Sequence, residues 1–208
     1  MVKTFIGQGD VDGKALTQSS RLRQLIIKGV ISLSLFLLLS RKSQIQLGGQ
    51  RLSIGSTHRD RIYYHFPSKA RLGAGVAERY WQDTQSVLND MRSANADPKE
   101  CLRLYPWIFR KSLEDDNRLC LSSFMAAEVE DLPGEVLREV MAFADINVAW
   151  LAEVLKCAAT VPQAECERRA RAIYAAVAGA QLIARTRADI SVFDDWIASY
   201  REAGLIPD

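Results

Sequence analysis

Two histidines and four cysteines are the side chains of this 208-residue sequence best suited to metal or nucleophilic chemistry, and their spacing supports neither. Cys101, Cys120, Cys157 and Cys166 form no Cys-x-x-Cys pair, and His58 and His65 stand at no ligand spacing from them. Cys120 falls among apolar residues and reads as a small buried hydrophobe. The acidic residues sit at helix starts and on solvent faces without a partner histidine, which is against acid–base catalysis. No enzyme, metal or cofactor is expected. The chemistry that remains is charge. Residues 1–70 hold eleven Lys/Arg against three Asp/Glu, whereas the rest of the chain holds sixteen against twenty-two. A basic first third on an acidic remainder points to a polyanion as partner of the first part alone.

The elements that would carry this charge belong to a globular chain. With 48% hydrophobic and 25% charged residues there is material for one or two cores, and a disordered or low-complexity chain is excluded. The most apolar stretch, Leu25 to Leu39, contains Lys28 and is shorter than the roughly 18–20 residues a bilayer requires. It lies behind the polar segment Gly7–Ser20, unlike a signal peptide, so it reads as a buried helix. A cytoplasmic protein without a membrane partner is expected.

Beyond residue 66 the apolar period is helical throughout. Ser68 would cap a helix running to about Met91, and Asp97-Pro98-Lys99-Glu100 has every mark of a second start. Pro106 should kink or break that second helix, because it removes a backbone donor. The pattern then predicts a helix over Asp115–Glu130, a restart at Leu132-Pro133-Gly134-Glu135, and one long amphipathic helix from Val136 to Leu155. Thr160 would cap the next helix, which is crowded with small residues from Ala170 to Ala184, and a last helix spans about Ser191–Glu202. Small side chains over five turns allow close approach by another helix. They suit either half of a four-helix dimer bundle or packing on the chain's own core. Leu22–Leu39 is also helical by its spacing, and 40–56 reads as loop or short helices.

The run Ile62-Tyr63-Tyr64-His65-Phe66-Pro67-Ser68-Lys69-Ala70-Arg71-Leu72 resembles the segment that closes the helix-turn-helix and opens the fourth helix in the TetR/AcrR family of transcriptional regulators. Gln24–Ile31 is similar to that family's first helix, and the order of the later helices matches. The resemblance implies an all-α fold with a helix-turn-helix DNA-binding domain over residues 1–68 and a helical ligand-binding and dimerisation domain over 69–208. It implies a recognition helix at about Ser56 to Tyr64, laid in the major groove of double-stranded operator DNA. Thr57 and His58 would face bases or nearby phosphates, Arg59 would replace the usual lysine, and Tyr63, Tyr64 and His65 would supply further contacts. Lys69 would hold a backbone phosphate with help from the helix dipole.

Residues 34–61 depart from the family pattern: Ser56 stands where the turn glycine is expected and Asp60 where a second glycine often sits. A divergent motif or a pair of compensating frame shifts would both leave matched sequence on either side. The resemblance further implies a homodimeric repressor released from DNA by a small-molecule effector. Trp81, Trp107, Phe109, Phe124, Met125, Phe143, Trp150 and Tyr174 would line its cavity, or simply fill the core, and Asn147 or Gln181 would supply polarity. The alternative is a dimeric small-molecule-binding protein whose helix-turn-helix no longer reads specific DNA.

Overall fold

Ser68 starts the first helix as a side-chain cap: its Oγ accepts from the Arg71 N–H at 3.1 Å. The computed structural model describes residues 66–207. Among them stand α1 (Lys69–Ala94), α2 (Pro98–Leu104), α3 (Pro106–Glu114), α4 (Leu121–Ala127), α5 (Gly134–Ala158), α6 (Cys166–Arg187) and α7 (Ile190–Glu202), with no strand. Short 3-10 turns at Val129–Asp131 and Gln163–Glu165 precede α5 and α6.

The local start signals act as the sequence predicts. Asp97 Oδ1 accepts from the Lys99 N–H at 2.9 Å and Pro98 is the first residue of α2. Tyr105 ends α2 with its N–H on the Cys101 carbonyl, and Pro106 opens α3 at a position where no donor is required. Asp189, which the sequence pattern does not single out, caps α7 through the Ser191 N–H at 2.9 Å.

Two expectations are corrected. Asp115–Glu130 is not one helix. Asp116 (φ 62°) and Asn117 (φ 52°) are left-handed, a conformation Asp and Asn tolerate better than most residues. The turn is held by the Arg118 N–H on the Ser112 carbonyl (3.0 Å) and by Asn117 Nδ2 on the Arg185 carbonyl (2.9 Å). The second bond reaches the last turn of α6, so a tertiary contact overrides the local helical period. The chain re-enters a helix at Cys120, whose sulfur accepts from the Ser123 N–H at 3.3 Å and so caps α4. Nor does Thr160 cap the next helix: Pro162 leads into a 3-10 turn without a side-chain cap, and α6 begins at Cys166.

Helix α5 is the centre of the molecule, packed against α1, α2, α4 and α6, while α6 also holds α3 and α7. Arg71 pairs with Glu135, Tyr80 stacks on Phe143, and Trp81 donates to Glu139, so α1 and α5 run in the same direction. The main core gathers Tyr105, Phe109, Leu151, Leu155, Ile173, Val177 and Phe193. Two buried amides are fixed inside it. Asn147 accepts from the Tyr105 hydroxyl (2.9 Å) and donates to the Phe143 carbonyl (2.8 Å). Gln181 donates to the Phe109 carbonyl (2.7 Å) and accepts from the Cys120 N–H (3.3 Å). At the surface, Arg110 grips Asp194 with two bonds of 2.7 and 2.9 Å, joining α3 to α7. No helix among the described residues is long and apolar enough to cross a membrane.

Candidate nucleic-acid and ligand sites

Thr57, His58, Arg59, Tyr63, Tyr64 and His65 lie outside the described residues. Lys69 is exposed as the first residue of α1, where unpaired backbone N–H groups and its own charge make a positive end; no acid lies in the first turn. Two contacts fix this end of α1 to its surroundings. Arg71 reaches Glu135 of α5 at 3.6 Å, and the Phe66 ring lies against Gly75, so closely that a Cβ there would stand 2.9 Å from its Cε1. Glycine at position 75 is what admits the ring.

The residues expected to line a cavity are distributed over four places. Phe109, with Tyr174 packed edge-on to it, belongs to the main core, and Asn147 spends its hydrogen bonds there. Met125 and Phe143 border a crevice with Tyr80, Leu121 and Ser122 that has no room for a water molecule. Phe124 packs beside it, and Trp81 stands nearby with its indole N–H on Glu139 at 2.8 Å. Trp107 is on the surface, 37% exposed, with the Lys111 ammonium 5.4 Å from the centre of its ring. Trp150 alone of the set borders an open groove of about 390 Å³.

That groove runs between Gln85, Leu88, Asn89 and Arg92 of α1 and Ile146, Trp150, Val154 and Cys157 of α5. On each helix the lining residues recur at three- and four-residue spacing, one face of each, which is how two parallel helices form a trough. Sequence reasoning missed Arg92 and Cys157. The signal available was their place at the polar edge of amphipathic helices, which is shared by many solvated residues.

Burial pushes the Tyr80 and Tyr105 hydroxyls well above their ordinary range and raises that of Tyr174 as well. Burial likewise raises the Cys120 thiol. Among the described residues no group of three His, Cys, Asp or Glu could hold a metal.

No protein-family model matches the sequence, and no curated protein matches it. The fold does have matches. A TetR transcriptional regulator from Legionella pneumophila is 25% identical, with a TM-score of 0.63 over 69% of this chain and 78% of that one. A TetR-family transcriptional regulator from Agrobacterium tumefaciens is 24% identical, with a TM-score of 0.68 over 90% and 97%. The reduced form of NemR from E. coli shares the fold at 18% identity and a TM-score of 0.64 over 88% and 96%. The described helices thus share the fold of TetR-family transcriptional regulators, with a likeness that reaches 25% identity in the Legionella protein.

Proposed function

We propose that the chain is a homodimeric repressor that binds operator DNA through residues 1–68 and is released by a small molecule bound in residues 69–208. The observation that carries this reading is the fold likeness to TetR regulators along most of the chain. The basic N-terminal third supports it, as does Lys69 at the positive end of α1 directly after the Tyr63–Ser68 run. Thr57, His58, Arg59, Tyr63, Tyr64 and His65 are the proposed contacts to bases and phosphates.

Dimerisation is supported by the outward face of α6. Ala172, Ala175, Ala176, Gly179, Leu182 and Ile183 make an uncharged stripe opposite the core, and Leu182 is 48% exposed. A dimer would set two recognition helices in successive major grooves, and an effector would favour a form in which they no longer match.

The test is fluorescence-anisotropy binding to DNA flanking the gene, at two salt concentrations, against a scrambled duplex. The repressor reading expects preference for the native fragment and weakening with salt. Lys69→Ala should weaken binding to every sequence and reduce the salt slope by about one. An unchanged slope would remove Lys69 from the phosphate contacts. The departures at residues 34–61 favour a second reading, a ligand-binding dimer without specific DNA recognition; equal, weak binding to both duplexes would select it.

A further inference from the structure

The groove between α1 and α5 has a floor and a charge that point to one kind of occupant. Its volume of about 390 Å³ lies in the range of small-molecule sites. Leu88, Ile146, Trp150 and Val154 supply apolar surface, and the Trp150 ring is held from behind by stacking on Tyr105 at 5.9 Å. Arg92 stands at the groove, half-buried. It donates to the Asn95 carbonyl (3.2 Å) and to the Cys101 thiol, and no carboxylate of a described residue pairs with it. Glu153, the acid at the rim of the groove, is exposed to solvent and pairs with Lys156 at 2.5 Å. A guanidinium without a carboxylate partner, beside an apolar trough, suits a planar anion, which it can bind with two parallel N–H donors. The Trp150 indole N–H adds to this. It is buried with no acceptor, so a rotation toward a carboxylate on Arg92 would gain a hydrogen bond without losing one.

We propose that this groove binds a small aromatic carboxylate, with the carboxylate on Arg92 and the ring along Leu88, Ile146 and Trp150. That such a ligand is the effector rests on the repressor reading; the binding itself does not.

Cys157 provides the test, because it borders the groove and is exposed while Cys101, Cys120 and Cys166 are buried. The rate of Cys157 alkylation by monobromobimane is measured in the full chain with 2-naphthoate, and with the neutral 2-naphthylmethanol as control. Saturable slowing by naphthoate, at least fivefold, is expected, with the alcohol binding at least tenfold more weakly. Arg92→Ala should remove that difference. Ala149→Trp, at an exposed position on the rim, should abolish protection by both while leaving the circular dichroism spectrum unchanged. An unchanged rate with millimolar naphthoate, or equal protection by acid and alcohol, overturns the proposal. Anisotropy with the native DNA fragment separates the two readings. Protection of Cys157 with no effect on DNA binding would keep the site and remove its role as effector site.

Discussion

Asn147 shows how a residue's type can suggest one role and its surroundings assign another. An amide on the apolar face of a long helix reads as the polar point of a cavity. In the structure both ends of that amide are bonded inside the core, to the Tyr105 hydroxyl and the Phe143 carbonyl. Tyr105→Phe would leave the Asn147 oxygen buried and unpaired, at a cost of about 1–3 kcal/mol. Urea denaturation should show that loss, and the Tyr105→Phe/Asn147→Leu pair should lose less than the two single changes together. A change in which the losses simply add would mean the two side chains are not coupled. Asp189 makes a different kind of contribution. Its hydrogen bonds from the Ser191 hydroxyl and N–H hold its carboxyl below the ordinary carboxylate range. The folded state therefore binds that proton less readily than the unfolded chain. Stability from this cap is complete above the ordinary carboxylate range, begins to fall as pH drops toward about 4, and is lost as pH passes through the lowered folded value. Asp189→Asn should flatten the acid side of the Tm–pH profile, and an unaltered profile would show that the cap carries none of it.

At the scale of elements, what could be read from sequence was whatever a few adjacent residues decide. Ser68 and Asp97 through their side chains, and Pro98, Pro106 and Pro133-Gly134 through their backbones, each mark a boundary, and each marks one in the structure. The break at 115–120 was hidden because the Asn117 side chain finds its acceptor in Arg185, 68 residues away. The groove was hidden for the same reason: Arg92 and Trp150 share a site only because α1 and α5 lie side by side, although Trp150 itself was singled out by type. Helix ends offer a further prediction. Ala159 (φ 50°) and Ala188 (φ 51°) close α5 and α6 in the left-handed conformation, where glycine is the unstrained choice. Ala159→Gly and Ala188→Gly should each stabilise by about 1 kcal/mol. A fall in Tm in either variant would show that the alanines make compensating contacts.

For the molecule as a whole the instructive residue is Gly179. Glycine inside a helix costs about 1 kcal/mol relative to alanine, yet a Cβ at this position would meet nothing within 4 Å of the protomer. Within one chain, Gly179→Ala should therefore stabilise. In the proposed dimer the missing Cβ is what lets two α6 helices approach, and the same change should weaken association. Sedimentation equilibrium across a concentration series, beside urea denaturation, reads both. A more stable variant with undiminished self-association would take the dimer contact away from this face.

The parallel run of α1 and α5 has a consequence for the life of the chain before it is finished. Tyr80 waits for Phe143, and each of the α5 partners Glu135, Glu139 and Phe143 lies some 60 residues downstream of its mate on α1. At synthesis rates of about 5–20 residues per second, α1 spends roughly 3–12 s emerging without its support. Through that interval the inner row of Leu72, Ala77, Leu88 and Met91 is uncovered. The segment ahead of it, residues 1–68, is meanwhile already complete and positively charged. Order in α1 is thus acquired only when α5 docks, so variants that slow that docking should aggregate during synthesis even where the finished protein is stable.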